Sequence, residues 1–212
     1  MKIVCMSDIH GYQEEMSPIP DGDILLVAGD ITRKGTLSNL LDFVLFLRTL
    51  PHRYKVFIGG NHDWCLQEKK EDILNLLSNH NCIYLENSSV EIEGLKIWGS
   101  PWTNRFYDWA FMAEEKELKK IWDIIPIDTD IVMTHGPVYG ILDKTIRHIN
   151  AGSESLLKRV KVIKPKVFIG GHIHEGRGVV IGKNAVYINP SICNENYEPI
   201  NKPIVYEIGG LK

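Results

Sequence analysis

Seven side chains able to bind a cation recur at one kind of place in this chain. Asp8 and His10, then Asp30, Asn61, His135, and His172 with His174, each follow within a few residues of a short apolar run. They are carboxylates, imidazoles and one amide oxygen, with no thiolate among them. Donors of this kind suit Mn, Fe, Zn, Co, Ni or Mg and disfavour soft-metal or iron–sulfur chemistry. Seven are too many for one tetrahedral ion, and they suit two divalent ions if one carboxylate bridges. Two such cations against two carboxylates leave a local charge near +2, which attracts phosphate.

The apolar runs that precede these donors are the elements that must position them. They are Ile3–Ser7, Ile24–Ala28, Lys55–Ile58, Ile131–Met133 and Lys166–Ile169. Runs this short, bounded by glycine, read as buried strands, and in open α/β sheets ligands gather beyond the carboxyl ends of the strands. The hexapeptide KVFIGG occurs twice, at Lys55–Gly60 and Lys166–Gly171. Its paired glycines would let the backbone turn tightly beside the donors.

Between the strands, Thr36–Leu50 has Leu37, Leu40, Leu41, Val44 and Leu45 at helical spacing, and Pro51 stops it. A short helix is expected over Glu71–Ser78 and a strand over Cys82–Leu85. Glu93-Gly94 joins two strands in a hairpin. Ser100–Met112 is aromatic and irregular. Ala113–Ile125 reads as a charged helix in which Glu115 and Lys119 can pair four apart, and Ser153 caps a helix reaching about Ile163. Strands follow at Val179–Ile181, Ala185–Ile188 and Pro203–Ile208. The first half alternates strand and helix and the second contains hairpins, so the class is α/β with mixed or doubled sheets. No linker divides residues 1–212, and one domain is expected.

For a chain of 212 residues, a net charge of -3 does not suggest a surface that coats nucleic acid or adheres to a membrane. No apolar stretch spans a bilayer, and the amino terminus lacks a signal-type segment; a cytoplasmic protein is expected. Cys5, Cys65, Cys82 and Cys193 form no Cys-x-x-Cys pair and read as packing residues. His52, His80 and His148 read as solvated.

Taken singly, each donor motif has an ordinary explanation as a turn or a polar strand end. In the order Asp-x-His, Gly-Asp, Gly-Asn-His-Asp, Thr-His-Gly, Gly-His-x-His they resemble the calcineurin-like metallophosphoesterase superfamily. The resemblance implies a four-layer α/β/β/α sandwich of two mixed sheets. It implies that Asp8, His10 and His174 hold one ion, that Asn61, His135 and His172 hold the other, and that Asp30 bridges. It places His62 over the substrate without binding metal, as general acid for the leaving oxygen. Asp63 would either hold that imidazole or stabilise the turn. Ser100-Pro101-Trp102, Trp109-Ala110-Phe111 and the Asn189-Pro190-Ser191 ending are similar to a compact subgroup that includes metallophosphoesterase-domain proteins of animal brain.

That subgroup implies a phosphodiesterase for small substrates such as cyclic nucleotides, with two divalent ions, Mn first among them, and no stable nucleic-acid partner. The protein phosphatases of the superfamily carry Gly-Asp-x-Val-Asp-Arg-Gly. Here Gly29-Asp30-Ile31-Thr32-Arg33-Lys34-Gly35 displaces the arginine by one position, and lysine does not reproduce its bidentate clamp. The alternatives are a phosphomonoesterase or protein phosphatase of the same superfamily, or a non-catalytic scaffold with this fold. The stretch Trp102–Phe111 could offer a base-stacking wall, although most of its aromatics are expected in the core.

Overall fold

Residues 1–68, 73, 77 and 82–209 are described by the computed structural model. The chain begins with β1 (Lys2–Met6), β2 (Ile24–Ala28), α1 (Leu37–Thr49), β3 (Tyr54–Ile58), α2 (Trp64–Glu68) and β4 (Ile83–Tyr84). The hairpin β5 (Ser88–Ile92) and β6 (Leu95–Ser100) follows, with the short β7 (Thr103–Asn104) and β8 (Met112–Ala113) beyond it. Then come α3 (Glu115–Asp123), β9 (Ile131–Thr134), α4 (Glu154–Ile163), β10 (Val167–Gly170), β11 (Gly178–Ile181), β12 (Val186–Asn189) and β13 (Ile204–Glu207).

Two mixed sheets result, a five-stranded one ordered β13-β1-β2-β3-β4 and a six-stranded one ordered β11-β12-β10-β9-β6-β5. In the first, β1 to β4 are parallel and β13 pairs antiparallel with β1. In the second, β12, β10, β9 and β6 are parallel, with β11 and β5 as antiparallel edges.

Strand alternation explains why the runs are apolar at nearly every position, since successive side chains point to opposite faces. Ile3, Cys5, Leu26, Val56 and Ile58 of the first sheet meet Ile97, Ile131, Met133, Val167 and Ile169 of the second in a core between the sheets. The intervening residues Val4, Met6, Leu25, Val27 and Phe57 face outward onto α1. Across the molecule, Trp98, Val132 and Phe168 face Leu118 and Trp122 of α3 and Leu156 and Val160 of α4. The layers are therefore helix, sheet, sheet, helix. Trp122 is fully buried and its indole N–H donates to Ser153 Oγ at 3.1 Å; truncating such a residue to alanine costs roughly 3–5 kcal/mol.

Several local expectations are corrected. The buried face of α1 is Leu40, Phe43, Val44 and Leu47, while Leu37, Leu41 and Leu45 are exposed. Leucines four apart trace a stripe, but the sheet meets the stripe beside it. Glu115 does not pair with Lys119. Its carboxylate accepts from Asn104 Nδ2, Ser153 Oγ and the Ser155 N–H, and Lys119 pairs with Asp123 instead. His52 is buried with Nε2 3.0 Å from the Pro20 carbonyl, whereas His148 is exposed as expected. The helix expected over Glu71–Ser78 and His80 lie largely outside the described residues; Ile73 and Leu77 are buried in the α1 core. Glu93 and Gly94 both have positive φ, 49° and 76°, as a tight two-residue hairpin turn requires.

Candidate metal centre

The parallel strands of both sheets deliver their carboxyl ends to one place. At four of the expected ligands the backbone turns sharply: φ is 52° at Asp8, 49° at His10, 50° at Asp30 and 68° at His172. Asp and His tolerate this left-handed region better than most residues, and non-glycine residues held there cluster at functional sites. The second glycine of each KVFIGG provides close approach. A Cβ on Gly60 would strike Asp30 Oδ1 and the Asp30 amide, and one on Gly171 would lie 2.6 Å from Asp8 Oδ2.

All seven expected ligands are brought together. Asp8, His10 and His174 form one trio and Asp30, His135 and His172 another, with the ligand atoms of each trio within 4.8 Å of one another. Asp30 connects them, because its Oδ2 lies 3.8 Å from His10 Nε2 and 3.4 Å from His135 Nε2. Asn61 Oδ1 stands 2.8 Å from His135 Nε2, and His174 Nε2 stands 3.3 Å from His10 Nε2 and 3.6 Å from Asp8 Oδ1. With ligand bonds of about 2.0–2.2 Å, donors on one ion stand about 3.0–3.5 Å apart; the spacings of 3.3 and 3.4 Å fall in that range, and those of 2.8, 3.6 and 3.8 Å lie within about 0.3 Å of it.

Outer partners aim the donors. His135 Nδ1 meets the Ala28 carbonyl at 3.0 Å and His174 Nδ1 the Asn194 carbonyl at 2.8 Å, which leaves both Nε2 atoms facing inward. Asp8 Oδ2 accepts from Ser7 Oγ and Ser191 Oγ, each at 2.6 Å, and the His172 N–H also donates to this carboxylate. The reading of ligands alone missed Ser7, Ser191 and Asn194. They belong to no ligand motif, although Ser191 lies in the Asn-Pro-Ser ending.

The electrostatics are those of a site short of positive charge. Burial opposes charging of His174, but the hydrogen bond and charge of Asp8 outweigh it and push the imidazole up to about 9. Burial of His135 is likewise outweighed by Asp30, and this group also rises to about 9. Protons there stand where a cation would. Burial lowers His10 to about 4 and, with the nearby His135 charge, His172 to about 3. Burial would raise Asp30, yet His135 holds it well below the usual carboxylate range. A buried oxygen–nitrogen donor set with a shared carboxylate fits divalent ions.

His62 and Asp63 part company. The His62 N–H donates to Asp30 Oδ1 at 2.8 Å, and its ring points Nε2 toward Asp30 Oδ2 at 3.9 Å, close enough to form a third trio with His10. Its Nδ1 faces the Arg33 carbonyl at 3.3 Å. Asp63 does not hold this imidazole. Its buried carboxylate accepts the N–H groups of Ile31, Thr32 and Gly60 and the Thr32 hydroxyl, the contacts of a turn brace. Burial and then the Asp30 charge push it up to about 7, against those hydrogen bonds.

Above the cluster opens a cleft of about 610 Å³ lined by Asp30, His62, Phe106, Trp109, His172 and Tyr197, among others. Phe106, Tyr107 and Trp109 are exposed there, so three of the aromatics expected in the core stand in the cleft wall; Phe111 is buried and Trp102 packs against the core. Arg105 of the lining is paired with Asp108 and Glu114. Arg33 lies over the Tyr12 ring, and neither it nor Lys34 lines the cleft. No helix among the described residues is long and apolar enough to cross a membrane.

Two mixed sheets between helices, with a shared-carboxylate cluster of histidines and aspartates at their strand ends, define a metallophosphoesterase. The chain belongs to the Calcineurin-like phosphoesterase family, whose sequence model matches residues 1–176. It is 36% identical to Metallophosphoesterase domain-containing protein 1 of Homo sapiens over 98% of this chain and 71% of that one, and the Mus musculus protein matches with the same figures. The crystal structure of TT1561 of Thermus thermophilus shares the fold, with a TM-score of 0.65 and 14% identity over 90% of this chain and 88% of that one. The family supports a metal-dependent phosphoester hydrolase, and the Asp and His trios are the candidate positions for its divalent ions.

Proposed function

We propose that this chain hydrolyses small phosphodiesters, with nucleoside cyclic phosphates as the leading class. Asp8, His10 and His174 would hold one divalent ion and Asn61, His135 and His172 the other, with Asp30 shared and Mn the first metal to try. The observation that carries the reading is the position of Asp30 Oδ2, within 3.8 Å of His10 Nε2 and 3.4 Å of His135 Nε2, between the two trios.

When bound, a divalent pair supplies Lewis acidity at the phosphoryl oxygens and an acidified water as nucleophile. The chain's own residues supply the rest. The Arg33 carbonyl favours a proton on His62 Nδ1 and leaves Nε2 toward the cleft, where a protonated ring can deliver its Nε2 proton to the leaving oxygen. With metal bound, the Asn194 and Ala28 carbonyls would keep the remaining proton of His174 and His135 on Nδ1 and leave Nε2 free for the ion. The Asp63 brace fixes Ile31, Thr32 and Gly60 around Asp30.

A small substrate is favoured by the bounded cleft and its aromatic wall. The lining's guanidinium, on Arg105, is already paired, and Arg33 stacks on Tyr12; this weighs against the arginine clamp of a protein phosphatase. The test is a panel of cyclic nucleotides, linear diesters, monoesters and a phosphopeptide, run on protein loaded separately with Mn, Fe, Zn, Co, Ni or Mg. The highest kcat/KM is expected for a cyclic diester. Preference for a monoester or phosphopeptide would overturn the diester reading. No turnover with any metal would leave the scaffold alternative standing.

A further inference from the structure

Tyr197 occupies a position that no motif announces and that lies beyond the residues matched by the family model. It follows β12 in a turn built by Asn194, whose Oδ1 accepts the N–H groups of Asn196 and Glu198 at 3.0 and 2.9 Å. The Asn194 carbonyl accepts the Tyr197 N–H at 2.9 Å and faces His174 Nδ1 at 2.8 Å, so one residue braces both the turn and a candidate ligand. Tyr197 has φ of 60°, an outlier for a bulky side chain.

That strained backbone presents a large ring to the cleft. Tyr197 is 44% exposed as a residue and lines the cleft, with its ring centroid 4.8 Å from His10, 5.3 Å from His174 and 6.2 Å from His62. Trp109, 37% exposed, lies 4.3 Å from the same His62 ring. Two half-open aromatic rings from distant parts of the chain thus border the imidazole that faces the leaving group. Flat rings left partly wet beside a reactive centre suit a planar ligand group, because stacking tolerates many ring chemistries.

We propose that Tyr197 and Trp109 form a stacking clamp for a planar ring carried by the group esterified to phosphorus, so that the cleft selects aryl or nucleobase-bearing phosphoesters over aliphatic ones. The clamp rests on the reading that the site binds a phosphoester. It does not depend on which ester is turned over.

Phenylphosphonate and methylphosphonate test it, since they bear similar charge, resist hydrolysis and differ by a ring. Calorimetric titration of the metal-loaded protein should show phenylphosphonate binding at least about tenfold tighter, within the about five- to 150-fold that one stacked ring contributes. Tyr197→Leu and Trp109→Leu should each cut that preference at least about fivefold. Both should leave methylphosphonate affinity and metal content nearly unchanged, and Tyr197→Phe should keep the preference. The clamp is overturned if the wild type shows no ring preference or binds neither phosphonate. It is also overturned if the leucine variants lose affinity for both ligands alike, which would mark Tyr197 and Trp109 as mere cover for the histidines. A ring preference without turnover of any phosphoester would sink the hydrolase reading alone, and turnover without a ring preference would sink the clamp alone.

Discussion

His62 Nδ1 faces the carbonyl oxygen of Arg33 at 3.3 Å, and this contact, with no part played by Asp63, sets which ring nitrogen looks into the cleft. If His62 is the general acid, His62→Ala should retain both metals by elemental analysis. It should lose turnover by about 10²–10⁴-fold on esters with alkyl leaving groups, and far less on a nitrophenyl ester that leaves without a proton. Full activity on the alkyl ester would remove His62 from that role.

Asp63 should behave as a structural residue. Asp63→Ala strips the acceptor from the buried N–H groups of Ile31, Thr32 and Gly60, and each buried donor left unpaired costs about 1–3 kcal/mol. Urea denaturation of the metal-free variant should show at least about 2 kcal/mol lost. An unchanged unfolding midpoint together with a turnover defect would return Asp63 to the imidazole-orienting role.

Ser191 reaches Asp8 Oδ2 from 183 residues away at 2.6 Å. Groups that orient a ligand from behind typically contribute about 10–100-fold in metal affinity or activity. Ser191→Ala should therefore weaken one of two Mn binding steps by about that factor and spare the other, as read by calorimetric titration. Equal weakening of both steps would mean that Asp8 does not belong to one ion.

Metal uptake should release protons. In the metal-free protein His135 and His174 are pushed from 6.5 up to about 9, and a metal binds only the bare nitrogen. Between those two values the free site carries protons that the loaded site cannot. Affinity should rise with pH up to about 9 and flatten above it. Calorimetry at pH near 7.5 in buffers of different ionisation enthalpy should report one to about two protons released; none released would contradict the assigned ligands.

The convergence of the candidate ligands was legible in the sequence because each follows a strand buried on both faces, which leaves an unbroken apolar run and then a sudden donor. The repeated KVFIGG was legible for a related reason, since Gly60 and Gly171 must pass against Asp30 and Asp8. What the sequence hid depends on distant contacts. Leu37, Leu41 and Leu45 keep helical spacing yet face solvent, since the position of the sheet decides which stripe is buried. Glu115 finds its partners at Asn104, Ser153 and Ser155, not one turn along its own helix. Tyr197 and Asn194 sit in an irregular turn where neither periodicity nor ligand spacing marks them.

The most direct measurement is a titration of metal-stripped protein with Mn while hydrolysis of bis(p-nitrophenyl) phosphate is followed, with Asp30→Asn as the companion. The shared position of Asp30 Oδ2 predicts that activity climbs until two equivalents are bound, and that Asp30→Asn loses metal binding and turnover together. Activity that needs no metal, activity that saturates at one equivalent, or an active Asp30→Asn would contradict the two-ion centre.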